Sequence, residues 1–306
     1  MTITFFAVGD GDCICLEWRE GVAKKIGIID CIHPSQRPTN PLVERLSAAR
    51  YTHIEFVLLT HPHRDHYSGL QAIFEYCEEH SITIGRFLHT TPDPNSYIKA
   101  LLGITDQRLL NALYSTILRL NKSSIIGNRH CVDNFSRSLP LGNISMDFLS
   151  PSEMERDQYR KSTHSEEEGR VFLKGGDANL TCAIVLLRAK DKSVLLTSDA
   201  VKYSIHRIRK SLGPPSLFAV QVPHHGSKYN HVPIFWRSLN RTKMCTAVIS
   251  ASGRNNHPSG EVLNDLERLG YSIARTDLME SDFLPLDMIS NRTSRSAPSK
   301  DVVISL

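Results

Sequence analysis

The sequence predicts an α/β protein, and three observations carry that expectation. A nearly continuous apolar run, "HIEFVLL" (53–59), leads into a cluster of histidines and an aspartate, and then into an amphipathic stretch from Ser68. The run has the composition of a strand buried on both faces, and the stretch after it has helical spacing. Three more strand-like runs end in loops with aspartate or histidine: "LLTSDA", "FAVQVPHHGS" and "TAVISASGRNNHPSG". Loops at the C-terminal ends of strands are where α/β sheets place their chemistry.

Taken in order, residues 2–31 read as strands: "ITFFAV", the turn "GDGD", "CICLEW", a polar turn and "KKIGIID". "PLVERLSAARY" (41–51) spaces Leu42, Val43, Leu46 and Ala49 as a helix does. "SGLQAIFEYCEEH" (68–80) reads as a helix capped by Ser68. "RFLHTT" (86–91) is a short strand, residues 93–122 are helical and amphipathic, and "ISMDFLSP" (144–151) is a strand. The stretch "SEMERDQYRKSTHSEEEGR" (152–170) is charged and lacks apolar periodicity, so an exposed loop or disordered segment is expected. Residues 179–200 read as a hairpin ending at Asp199, and 217–227 as a strand ending in a His-His-Gly-Ser loop. Residues 246–270 read as a strand, a loop with His257 and a helix that Ser259 caps. "NRTSRSAPSK" (291–300) has the composition of a linker, and "DVVISL" closes the chain as a strand.

Composition excludes several classes. Lys and Arg number 36 against 32 Asp and Glu, a net charge of +4 that suits an anionic substrate without establishing nucleic-acid binding. The seven cysteines are odd in number and form no CxxC pair, so neither a disulfide framework nor a cysteine zinc knuckle is expected. They point to a reducing, cytoplasmic compartment. No basic segment precedes the first apolar run, and Asp10 and Asp12 interrupt it, which argues against a signal peptide. No apolar run is long enough to span a bilayer, so no membrane partner is expected.

In "HPHRDH" (61–66), His61 and His63 are two positions apart in a loop leaving a strand, so both rings can point the same way. Asp65 and His66 follow a turn later and can serve a neighbouring position. The pattern offers a His-x-His pair to one ion and an Asp-His pair to a second. Such donors suit zinc, and also manganese, iron or nickel. A solvated polar loop is the competing explanation, but four donors in six positions after a buried strand favour metal. Ser68 and Ser227 lie in no G-x-S-x-G context, which argues against a serine nucleophile. Asp30, ending "IGIID", either accepts a hydrogen bond from a ligand imidazole or simply ends a strand. Asp10 and Asp12 read as turn or supporting residues, and His257 as a residue facing substrate.

"HPHRDH" resembles the HxHxDH signature of the metallo-β-lactamase superfamily. "VGDGDCICLEW", "IGIID", "NLTCAIVLL", "LLTSDA", "VPHHGS" and "NHPSGEVL" are similar, in order, to the motifs of the branch containing the soluble domain of the DNA-uptake protein ComEC and phosphorylcholine esterase. The resemblance implies a four-layer αββα sandwich forming one domain over 1–306. Residues near 90–130 would be a helical insertion and those near 280–300 an irregular one.

It also implies two divalent ions, zinc first among them. His61 and His63 would hold the first ion, Asp65 and His66 the second, and Asp199 would bridge them. His225 is favoured as the last ligand of the second ion, with His224 beside it contacting substrate, although the reverse stays open. The family's Gly-Asp pattern at the bridge is Ser198-Asp199 here. A histidine that many members supply to the first ion has no counterpart in "GGDANLTCA", which leaves Asp177, Asn179, His164 or water for that place.

The activity implied is hydrolysis by a metal-bound hydroxide held between the ions, with Asp65, Asp199, His224 and His257 as catalytic groups. A phosphodiesterase or nuclease acting on an anionic substrate, nucleotide or nucleic acid is the first expectation. Arg64 sits where it could attract an anion. Lys99, Arg108, Arg119 and Lys122 read as the wet face of an amphipathic helix more readily than as ligand contacts. The rivals are a hydrolase of amides, lactams or thioesters, and an inactive binding or scaffold component.

Overall fold

The computed structural model describes residues 1–33, 38–91, 104–167, 170–173, 177–253, 257–277 and 300–306. The first half of the chain builds β1 (Thr2–Phe5), β2 (Cys13–Glu20), β3 (Ala23–Cys31), β4 (His53–Leu59), β5 (Thr83–His89) and β6 (Ile126–Cys131). Together with β16 (Val302–Ser305) they form a seven-stranded mixed sheet in the order β16-β1-β2-β3-β4-β5-β6. The second half builds β7 (Leu139–Leu141), β8 (Ile144–Ser150), β11 (Ile184–Arg188), β12 (Ser193–Leu196), β13 (Leu217–Gln221), β14 (Arg241–Ile249) and β15 (Ser272–Arg275). These form a second seven-stranded sheet, β15-β14-β13-β12-β11-β8-β7. A separate two-stranded ribbon pairs β9 (His164–Glu167) with β10 (Arg170–Leu173).

Both sheets are antiparallel on one side and parallel on the other. Pairing is parallel from β3 through β6 and from β12 through β15. Parallel strands end on the same edge, so the loops after β3, β4, β12, β13 and β14 gather there. Asp30 lies at the end of β3, and the other loops carry the histidine cluster, Asp199, the His224–His225 pair and His257.

Three apolar cores separate four layers. The central one joins the inner faces of the sheets, including Ile3, Leu16, Phe56 and Leu58 from the first and Met146, Val185, Leu196 and Val248 from the second. A second core packs the first sheet against α1 (Pro41–Ala49), α3 (Leu70–Glu79) and α4 (Ile104–Lys122) through Leu42, Leu46, Phe74, Leu110 and Ile117. The third packs the second sheet against α6 (Lys202–Ile208), α7 (Pro233–Ser238) and α8 (Gly260–Arg268) through Ile205, Phe235, Trp236 and Leu266. The result is the expected αββα sandwich. In β4, Phe56 and Leu58 point to the central core while Ile54, Val57 and Leu59 point to the helices. Both faces are buried, which is why the strand shows no polar alternation.

Asn40 begins α1 by accepting the backbone N–H of Leu42 at 2.9 Å, and Pro41 fills the first turn where no N–H is needed. Ser259 caps α8 as expected. Ser68 does not cap a helix. It ends the short α2 (Arg64–Tyr67), α3 starts after Gly69, and the Ser68 hydroxyl accepts the His33 N–H at 2.9 Å instead.

The larger correction lies at 152–170, where an irregular segment was expected. The chain there forms α5 (Glu153–Thr163), β9 and β10. Ser152 and Glu155 make a reciprocal capping box, with each side chain bonding the other's backbone N–H. The buried Glu155 is paired with Arg207 at 2.8 Å, so α5 docks through an ion pair rather than an apolar stripe.

Within the expected insertion at 90–130, α4 packs on the second core and Arg119 pairs with Glu78 on α3. Arg108 and Lys122 are exposed, as the wet face of the helix should be, and Lys99 lies outside the described residues. The expected irregular insertion near 280–300 and the linker at 291–300 also lie outside them, apart from Lys300. All seven cysteines are free, and all but Cys131 are buried. No described helix is long and apolar enough to cross a membrane.

His89, at the end of β5, is largely buried, and burial lowers its pKa to about 4. The folded chain therefore resists a proton that the unfolded chain accepts below about 6.5. Stability is full above that value and falls as pH drops through about 4, by on the order of 3 kcal/mol from this residue. Urea unfolding at pH 7 and pH 4 should show a smaller acid loss in His89→Gln than in the wild type.

Candidate metal centre

The backbone of the ligand loops adopts conformations that ordinary residues avoid. Asp30, Ser198, His224 and His225 have φ of 54°, 45°, 51° and 55°, four of the seven non-glycine positive values among the described residues. Strain of this kind persists where the surroundings hold it, and it concentrates at functional sites. The Ser198 hydroxyl lies 2.8 Å from that of Thr60, tying the β12 turn to the end of β4. Gly11 has φ +147°, and a Cβ there would meet the Asp65 carbonyl oxygen at 2.5 Å, so the "GDGD" turn needs glycine to approach the histidine loop.

Two groups of donors share Asp199. Asp65, His66, Asp199 and His225 form one and His61, His63 and Asp199 the other, each with its ligand atoms within 4.8 Å of one another. His66 Nε2 lies 3.5 Å from Asp199 Oδ2 and 3.6 Å from Asp65 Oδ2. His225 Nε2 lies 3.4 Å from Asp199 Oδ1 and 3.5 Å from Asp65 Oδ2. His61 Nε2 is 4.0 Å from Asp199 Oδ2 and 3.1 Å from His63 Nδ1.

The partners of the rings fix where the lone pairs point. His225 Nδ1 faces the Ser250 carbonyl at 2.9 Å, which can only accept, so this nitrogen carries the proton and Nε2 the lone pair. His66 Nδ1 donates to Asp30 Oδ2 at 2.7 Å, with the same result. Thr60 gives its hydroxyl proton to Asp30 Oδ2 at 2.5 Å, so it accepts from His61 Nδ1 at 3.2 Å and leaves His61 Nε2 free to ligate. His66 Nε2, His225 Nε2 and Asp199 Oδ1 are buried and lack a hydrogen-bond partner. Buried polar atoms are rarely left so. A divalent cation satisfies all three at once, and the residues fit one.

Electrostatics agree. Burial opposes charge on His66, yet Asp65, Asp199 and Asp30 hold its pKa well above the ordinary value. His225 rises to about 10 against its burial, chiefly through Asp199. Asp199 is held well below the usual carboxylate range by His225 and His66 in spite of burial. Burial lowers His61 and His63, and the nearby imidazoles add to this. Asp30 moves the other way, raised by burial to about 6 against the pull of His66. The carboxylates of Asp65 and Asp199 thus favour positive charge at the His66 and His225 rings. A cation competes for the same positions, so its uptake releases protons.

His61, His63, Asp65, His66, Asp199 and His225 are therefore brought together. His61, His66, Asp199 and His225 are buried, and His63 and Asp65 partly exposed. His225 belongs to a donor group and His224 does not. His224, 30% exposed at its side chain, has Nε2 3.8 Å from Asp199 Oδ2 and its ring 6.1 Å from that of His257. Of the two readings left open for Asp30, the structure has the imidazole bond, to His66 Nδ1 at 2.7 Å. Asp177 joins no donor group; it caps a short 3-10 turn (Ala178–Thr181) by accepting the Asn179 N–H at 3.0 Å. Asn179 is buried with Oδ1 unpartnered. The side chain of His164 lies outside those described.

Sequence reasoning missed the parts played by Thr60 and Gln221, and it read Asp12 only as a turn or supporting residue. Asp12 is 1% exposed and forms a third buried group with Asp30 and His66. The signal for Gln221 was present, a polar residue inside the otherwise apolar "LFAVQV".

No protein-family model matches the sequence, and no curated protein matches it. Similar solved structures include a mutant of CmlA β-hydroxylase, at 13% identity and a TM-score of 0.49 over 100% of this chain and 54% of that one. This chain thus spans about half the length of that protein. The metallo-β-lactamase fold protein YhfI from Bacillus subtilis is similar over 90% of this chain and 95% of its own, at 8% identity and 0.48. Zinc-bound PqqB from Methylobacterium extorquens is similar over 90% and 98%, at 11% and 0.48. At such values the fold and the site stand on this chain's own sheet order and donor geometry.

Proposed function

We propose that the chain is a metallo-β-lactamase-fold hydrolase that binds two divalent ions, zinc first among them, and cleaves phosphodiesters of an anionic substrate such as a nucleotide or nucleic acid. The observation that supports this most is the convergence of three buried, unpartnered ligand atoms, on His66, His225 and Asp199, beside a second donor group that shares Asp199. Bound divalent ions supply Lewis acidity toward a phosphoryl or carbonyl oxygen and lower the pKa of water toward neutrality.

The chain's own residues do the rest. Asp30 and the Ser250 carbonyl hold the His66 and His225 rings in register. Asp199 brings one carboxylate to both donor groups. His224 and His257 stand beside the donors and are partly open to solvent, placed to bind a substrate oxygen or deliver a proton to a leaving group. Burial and the adjacent His224 both lower the pKa of the His257 ring. Arg64 follows His63 directly and is exposed, as is Lys228 three positions after His225, and both favour an anion.

Two measurements test the reading. Purified protein should contain divalent metal and lose it to a chelator, and the loaded protein should hydrolyse bis(p-nitrophenyl) phosphate but not a lactam. Lactam or thioester turnover without phosphodiester turnover would move the activity to acyl substrates. Metal binding without turnover of either would make the chain a binding component.

A further inference from the structure

The two donor groups draw on both sheets, so something must set the spacing between the turn that carries Asp199 and the loop that carries Asp65 and His66. We propose that Gln221 is that positioning residue, acting through Asp12. Gln221 ends β13 and is 3% exposed. Its Oε1 accepts the backbone N–H groups of Thr197 at 3.1 Å and Ser198 at 3.0 Å, the two residues before Asp199. Thr197 returns a hydroxyl bond to the Gln221 carbonyl at 2.9 Å. The other end of the amide crosses to the first sheet, where Nε2 donates to Asp12 Oδ2 at 2.8 Å. Asp12 in turn donates its backbone N–H to the Asp65 carbonyl at 3.2 Å, and its Oδ2 lies 3.9 Å from His66 Nδ1.

One buried side chain thus holds a turn with positive φ at Ser198 and links it, through a single carboxylate, to the loop of the other sheet. The chemistry of the position is narrow. It needs an acceptor for two N–H groups and a donor for a carboxylate at the same time. A glutamate lacks the donor, a lysine lacks the acceptor, and an aliphatic side chain lacks both. A residue serving only to satisfy buried backbone groups would have no need of the bond to Asp12.

The inference rests on the cluster being a metal centre, and its test reads metal affinity rather than turnover. Zinc affinity of the full chain is measured by competition with a chromophoric chelator, with thermal unfolding of the metal-free protein as control. Gln221→Glu sets two carboxylates against each other and should weaken zinc binding by about 10-fold or more, the range seen when an outer partner of a metal site is lost. In the double variant Gln221→Glu/Asp12→Asn the carboxylate accepts both N–H groups and the amide donates from the other side, so zinc affinity should return to within about 3-fold of wild type.

Should Gln221→Glu fail to fold, Gln221→Met, which removes the tie without adding charge, carries the same expected loss. Zinc affinity equal to wild type in the single variants, or no recovery in the double variant, would overturn the inference and leave the metal centre intact. A wild-type chain that binds no zinc would overturn both. A lower unfolding temperature with unchanged zinc affinity would reduce Gln221 to a structural residue.

Discussion

Asp199→Ala is expected to lower bound zinc from two ions to at most one per chain and to reduce bis(p-nitrophenyl) phosphate hydrolysis by more than about 100-fold, beyond the loss that follows removal of an outer partner alone. Asp199 is the one residue that belongs to both histidine-containing donor groups flanking it. It is 2% exposed, and its Oδ1 has no hydrogen-bond partner. Its carboxylate also supplies much of the negative charge that holds His66 and His225 above their ordinary pKa values, so the variant should load metal with less proton release. Far-UV circular dichroism should stay unchanged, since Asp199 lies beyond the end of β12 and outside all three apolar cores. Metal analysis and a hydrolysis assay on the same preparation decide the matter. Unchanged zinc content or unchanged turnover would refute the role given to it.

Arg207→Ala is expected to destabilise the chain by about 3–5 kcal/mol, the usual effect of stripping one partner from a buried pair. The Glu155 side chain is fully buried, and Arg207 reaches both of its oxygens, with Nη2 at 2.8 Å from Oε2 and Nε at 3.1 Å from Oε1. The same guanidinium donates to the Leu149 carbonyl at 2.9 Å, so α5, α6 and β8 meet at this group. Adding Glu155→Gln to Arg207→Ala removes the stranded charge and should recover part of the loss. Urea unfolding of the wild type and the two variants gives the comparison, and a loss under about 1 kcal/mol, that of a surface ion pair, would refute it.

The same pair explains what the sequence concealed. Helix α1 and β4 were legible because each buries apolar side chains at its own period: Leu42 and Leu46 on one face of α1, and a continuous run on both faces of β4. Helix α5 buries a glutamate and part of Tyr159 instead, so its charged residues imitate a solvated segment. The signal that could have found it was Ser152 followed three positions later by Glu155. In the site, His61, His63, Asp65 and His66 were legible because they adjoin in sequence, and Asp199, His224, His225 and His257 because each ends a strand-like run. Gln221 and Thr60 were not, since their importance lies in bonds to residues far along the chain. Ser68 failed for a related reason, as a capping residue that a distant backbone N–H claimed first.

Donors from both sheets give the centre a mechanical role as well as a chemical one. Thr60 and Ser198, which meet at the edge of the site, stand 138 positions apart in the chain. An ion held between their neighbours closes a loop of that length, as a disulfide would, and draws on the same entropy of the unfolded chain. Because the folded form alone brings the ligands together, free metal at about 100 times its dissociation constant would add about 2.7 kcal/mol to stability by mass action. With an ion bound there, the persistence of the sandwich would follow the concentration of available metal, the ion acting as a reversible cross-link.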